Sequence, residues 1–169
     1  IRERGHSMRP GDVYMLNAPY NGGTHLPDIT VVTPVFNDAG NEVLFYVASR
    51  GHHADIGGIA PSTASAASRS IYHEGLLVPP VKLYERGVVN AGVRSLLANN
   101  SRTPDLLLGD IEGQVGCTRV GTELLEAFLV RVEITLNGED TNGHKILSTT
   151  KDTKRDERRL KRAFSGQLS

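Results

Sequence analysis

The 169-residue chain carries 19 Lys+Arg against 19 Asp+Glu, and this zero formal charge argues against the basic field of a nucleic-acid-binding domain. No apolar stretch approaches the ~20 residues needed to span a bilayer, and no basic, apolar leader opens the chain. The single cysteine, Cys117, forbids an internal disulfide and fits a reducing, cytoplasmic setting.

The length suits one domain, and 18 glycines point to a turn-rich chain or to one with loops that pass close to a ligand. Residues 12–17 (DVYMLN) read as a short strand, and 18–28 as a loop punctuated by Pro19, Gly22, Gly23 and Pro27. The β-branched run 29–36 (ITVVTPVF) reads as a second strand in which Pro34 demands an edge or a bulge. A five-residue turn at 37–41 leads to a third strand at 42–49, so the two form a hairpin. Residues 50–70 are irregular, and 76–84, with Pro79-Pro80, are extended and expected at a sheet edge. A short helix is expected over 92–100. Thr103-Pro104-Asp105 has the polar cap, first-turn proline and acidic first turn that start another. Leu107, Ile111, Val115 and Thr118 share one face of that helix. From about residue 130 the pattern suggests a strand and an NG turn, then a mixed-charge run over 151–162 read as a solvated helix or tail. The elements together describe an α+β fold: antiparallel β-hairpins with helices.

The chemistry concentrates in two glycine-flanked loops. If Phe36 faces Glu42 across the turn, His25 lies opposite His53 and Asp28 opposite Arg50, with directly opposed Cβ atoms about 5 Å apart. His25, Asp28, His52, His53 and Asp55 therefore converge at one end of the hairpin. Two imidazoles and a carboxylate are a common donor set for a divalent catalytic metal with open positions. Such an ion polarises a carbonyl or generates hydroxide near neutral pH. His52 and His53 are adjacent, so at most one of them points at a shared metal; the other is left for substrate or a supporting hydrogen bond. Elsewhere, Cys117 is expected buried and inert, Asp110 and Gln114 are expected as a hydrogen-bonded surface pair, and Glu74 is a candidate neighbour of the cluster. Neither glycine pair matches a P-loop or dinucleotide fingerprint, and no Gly-x-Ser-x-Gly element occurs, so nucleotide binding within this segment is unsupported.

The string GDVYMLNAPYNGGTHLPDITVVTPVF, followed by FYVASRGHHADIGG, closely resembles the hydantoinase B/5-oxoprolinase family. That family includes the B-type subunits of ATP-dependent hydantoinases, the C-terminal half of 5-oxoprolinase and the large subunit of acetone carboxylase. The resemblance covers about residues 9–128, including HEG at 73–75 and RTPDLLLGDI, although many relatives have Asp at the position of Ala18 and an acid at that of His73. It implies a partial hydantoinase B-type α+β domain over 1–129, followed by an atypical charged tail over 130–169. It also implies the metal-bearing part of an ATP-dependent hydrolase that opens 5-oxoproline or hydantoin rings. A hydantoinase A-type partner, in a hetero-oligomer, would handle the ATP. A His-x-x-Asp element and a downstream histidine hold manganese in the acetone carboxylase branch; here His25 and Asp28 match it, with His52 or His53 as third ligand. The reading adopted takes His25, Asp28 and His52 as ligands of a divalent ion (manganese, zinc or iron), with His53 and Asp55 in catalytic support. The alternative is a truncated, non-catalytic remnant serving as a binding or assembly module. No nucleic-acid or membrane partner is expected.

Overall fold

The computed structural model describes residues 7–37, 39–61 and 65–136. Its strands are β1 (Val13–Leu16), β2 (Asp28–Phe36), β3 (Val43–His52), β4 (Val81–Glu85) and β5 (Val88–Val89). They form one sheet in the order β3-β2-β1-β4-β5, with every neighbouring pair antiparallel. Two helices follow, α1 (Ala91–Asn99) and α2 (Pro104–Leu136). The fold is α+β, as expected. The chain divides into two compact units, 1–119 and 120–169; the sheet and α1 belong to the first.

Strand alternation sends Val13, Met15, Ile29 and Val31 to one face of the sheet, where they join Leu107, Ile111 and Val115 of α2 and Leu97 of α1 in the core. Fully burying each such side chain contributes roughly 1.5–3 kcal/mol. Thr33 and Thr118, both buried, share a hydroxyl hydrogen bond of 2.9 Å across the same interface. Opposite Asp12, the β4–β5 hairpin turns on Arg86 (φ 50°) and Gly87 (φ 83°), and consecutive left-handed residues match the twist of a two-residue hairpin. The buried Asp12 carboxylate secures that turn, accepting from Arg86 N at 2.9 Å and pairing with Lys82 at 3.0 Å.

Four expectations need correction. The β2–β3 register is displaced by two residues, so that Asp28 faces His52 and Thr30 faces Arg50. One residue comes from the turn, where Phe36 pairs with Val43 instead of Glu42, and one from a bulge between Val35 and Phe36. An even displacement leaves every side chain on its expected face. Secondly, β4 is not the edge: it lies between β1 and the two-residue β5. Thirdly, residues 130–136 continue α2 and do not form a strand, while the NG turn and the 151–162 run lie outside the described residues. Fourthly, Cys117 is exposed. Pro34 sits beside the bulge and two residues past Val32, where the β1–β2 pairing ends, so it interrupts no β1–β2 partner.

Candidate active-site cluster at the hairpin end

The loop between β1 and β2 carries His25, and a buried asparagine holds it in place. Asn17 donates through Nδ2 to Leu26 O and Leu76 O, each at 2.8 Å, and its Oδ1 accepts from Val78 N at 2.7 Å. Gly23 permits the tight return of this loop, because a Cβ there would lie 2.0 Å from Asn17 O. Arg50 closes it from the β3 side, donating to Thr30 Oγ1 at 2.8 Å and Gly22 O at 2.9 Å.

These restraints bring three chemical groups together. Asp28 opens β2 opposite His52, the last residue of β3. His52 Nδ1 lies 2.6 Å from Asp28 Oδ1, and His25 Nδ1 lies 2.9 Å from Asp28 Oδ2. Thr24 donates its hydroxyl to the same Oδ2 at 2.8 Å. The imidazoles are open to solvent, with 69% of the His25 side chain and 47% of the His52 side chain exposed. Burial pushes the Asp28 carboxyl up, but hydrogen bonds from His25, His52 and Thr24 outweigh it and hold the group well below the usual carboxylate range. Asp28 is thus an anion at any physiological pH.

His53 is separated from that cluster by the alternation of β3. The residue is 1% exposed, and Nε2 lies 3.1 Å from Gln114 Oε1 on α2. Gln114 Nε2 donates to Ile29 O at 3.0 Å and Ser49 O at 3.3 Å, so one amide ties α2 to both strands of the hairpin. Gly51 leaves the space for it, since a Cβ there would stand 3.1 Å from Gln114 Nε2. Burial drives the His53 pKa down, against opposing contributions from Gln114 and Asp110, and favours the neutral ring. Asp110 and Gln114 do share a helix face, but Gln114 is buried and Asp110 Oδ2 is 4.0 Å from His53 Nδ1.

Asp55 is anchored elsewhere. Its Oδ1 accepts from Gly57 N at 3.1 Å and Arg102 Nη1 at 2.8 Å, Oδ2 accepts from Arg102 N, and its carbonyl accepts from Ser101 Oγ at 3.0 Å. Burial raises its pKa, and the Arg102 and Gly57 hydrogen bonds more than reverse that. These bonds fasten the loop after β3 to the residues that start α2. The structure therefore joins His25, Asp28 and His52 on one carboxylate, and places His53 and Asp55 in separate buried arrangements. Sequence pattern does not single out Thr24, Arg50, Asn17, Gln114 or Arg102 as site residues. Thr24 alone has a local signal, lying four residues before Asp28 in the same loop.

Two imidazoles and a carboxylate are suitable donor types for a divalent cation. Their disposition here is that of a hydrogen-bonded triad, and among the described residues no three His, Cys, Asp or Glu side chains are arranged to hold a metal ion. No helix among the described residues is long and apolar enough to cross a membrane.

The Hydantoinase B/oxoprolinase family model matches residues 1–138. The chain is 36% identical over 141 residues to 5-oxoprolinase 1 of Arabidopsis thaliana, covering 76% of this chain and 11% of that one. It is 35% identical over 124 residues to a putative D-/L-hydantoinase B-type subunit of a Pseudomonas species, covering 73% and 21%. The ATP-dependent caprolactamase of Pseudomonas jessenii superimposes with a TM-score of 0.70 at 36% identity, over 77% of this chain and 22% of that structure. The chain thus spans 22% or less of the length of these relatives.

Proposed function

The chain belongs to the Hydantoinase B/oxoprolinase family, and we propose that it forms the metal-bearing part of an ATP-dependent cyclic-amide hydrolase. The observation that carries this reading is the meeting of His25 and His52 on the Asp28 carboxylate, at 2.9 and 2.6 Å, on one open patch. The similarity to proteins named 5-oxoprolinase and ATP-dependent caprolactamase supports a lactam or hydantoin ring as substrate. The similarity to a protein named as one subunit of a hydantoinase supports a partner chain, an A-type subunit that handles ATP.

His25, Asp28 and His52 would hold the ion, a manganese, zinc or iron dication, once the two imidazoles exchange their hydrogen bonds to Asp28 for bonds to it. When bound it would supply Lewis acidity toward the ring carbonyl or lower the pKa of water. The residues of this chain contribute the setting. Asp28 supplies fixed negative charge, Thr24 and Arg50 hold the loop that carries His25, and the open side of the cluster admits a small ring. His53 and Asp55 would support catalysis through position: His53 from beneath β3, and Asp55 by fastening the following loop to the start of α2.

Metal analysis of the purified chain tests the reading. Uptake near one equivalent of manganese, zinc or iron is expected, falling at least about tenfold in Asp28→Asn, since loss of a ligand removes more than loss of a supporting contact. Activity is then measured as ATP-dependent opening of 5-oxoproline, hydantoin or caprolactam with an A-type subunit supplied. A chain that takes up no metal above background, and adds nothing to its partner, is the non-catalytic binding or assembly module instead.

A further inference from the structure

Two buried side-chain polar atoms among the described residues have no hydrogen-bond partner, Tyr14 Oη and His53 Nδ1. The second has a chemical consequence, because the partners of His53 leave no freedom in where its proton sits. Backbone carbonyls only accept hydrogen bonds, so the contacts from Gln114 to Ile29 O and Ser49 O must be made by its NH2 group. The amide oxygen then faces His53 Nε2 at 3.1 Å. That oxygen also only accepts, so Nε2 must carry a hydrogen and donate it. A neutral imidazole has one N–H. Nδ1 is therefore left with a bare lone pair, buried and directed to the side where Asp110 Oδ2 stands 4.0 Å away. Two acceptors face each other across a gap too wide for a direct hydrogen bond.

We propose that Gln114 is a positioning residue that locks His53 in the Nε2–H tautomer, so that Nδ1 keeps its lone pair on the side of Asp110. The lock is built from the sheet outward: carbonyls of Ile29 and Ser49 orient the amide, the amide orients the imidazole, and Gly51 leaves room for the contact. In the ring-opening reaction proposed above, His53 held in this way supports the open cluster through its position, a role that rests on that reading. The tautomer itself does not depend on that reaction.

Long-range proton–nitrogen correlation of the histidine side chains in the full 169-residue chain decides the matter, with His53→Gln used only to assign the signals. The wild-type ring is expected as a single Nε2–H tautomer. Gln114→Met, which has neither donor nor acceptor, should lower the ratio of Nε2–H to Nδ1–H forms about fivefold or more, as loss of one hydrogen bond allows. Methionine nearly matches glutamine in length and volume, so a changed ratio in a folded Gln114→Met chain reports the lost hydrogen bond and not lost packing. An Nδ1–H or mixed ring in the wild type overturns the proposal, as does a ratio unchanged in Gln114→Met. If Gln114→Met does not fold, the wild-type spectrum decides alone. None of these readouts is an activity or a metal content, so failure here is distinct from failure of the hydrolase reading.

Discussion

His52 and His53 are consecutive residues with opposite surroundings. His52 ends β3 on an open patch, where its ring meets a carboxylate shared with His25. His53 turns to the other face and is sealed beneath α2 by Gln114. One strand end thus serves two purposes. A cluster of solvent-facing groups can exchange hydrogen bonds for a ligand at small cost, whereas a buried polar network is worth most when it never changes partners. Asp28 and Asp55 repeat the contrast: one carboxylate is gripped by exposed imidazoles, the other by backbone N–H groups and Arg102.

The contrast between the two carboxylates is most exposed to test in stability. Asp55→Ala removes the partners of Gly57 N and Arg102 N and an ion pair whose acid is 2% exposed, and should cost about 3 kcal/mol in urea unfolding. Asp28→Ala removes bonds to solvent-facing side chains and should cost less than about 1 kcal/mol. Equal costs would mean that the two carboxylates do the same structural work, and the division between open cluster and buried anchor would fall.

Next comes the glycine that admits the clamp. Gly51→Ala sets a methyl 3.1 Å from Gln114 Nε2, and the amide must move away from Ile29 O and Ser49 O to relieve it. A loss of about 1–2 kcal/mol is expected from such overpacking, with the His25–Asp28–His52 cluster intact. If metal uptake collapsed as far as stability, the two faces of β3 would not be separable.

The pH dependence isolates the sealed histidine. Burial lowers the His53 pKa in the folded chain, so the unfolded chain binds its proton first as pH falls. The stability due to its neutral form is fully present above about pH 6.5, the unfolded value, and is lost as pH drops toward the folded one. His53→Gln should flatten the unfolding free energy between about pH 7 and pH 5. An unaltered slope in that variant would show that the ring is not sealed.

Much of this arrangement is legible in the sequence. The β-branched run of β2, the short turn and the apolar spacing of Leu107, Ile111 and Val115 follow from period and turn chemistry, and the meeting of the two loops follows from the hairpin. The register is not legible, because Pro34 signals an edge or a bulge but fixes neither where the extra residue enters nor which pair closes the turn. Nor are the long-range polar ties. Nothing local marks Asn17 as the partner of Val78, Arg102 as the partner of Asp55, or Gln114 as the partner of His53, since each pairing depends on how separate elements pack. Residue type and hairpin topology collect five histidines and aspartates into one neighbourhood, but only strand alternation in three dimensions sorts them into an open group and a sealed one.

The smallest effect concerns the outer side of α2. Beside Gly116 and Thr118, with no histidine nearby in sequence, Cys117 is expected buried, yet the helix turns Leu107, Ile111, Val115 and Thr118 inward and leaves Cys117 exposed. Residue 117 lies two positions past Val115, about 200° around a helix of 3.6 residues per turn, so it cannot share that face. Cys117→Ser should change stability by less than about 0.5 kcal/mol, and the native thiol should react with a maleimide as fast as in the unfolded chain. Slow labelling that becomes fast only in denaturant would place Cys117 on the buried side, and would then require a different rotation of α2 from the one that brings Gln114 onto His53.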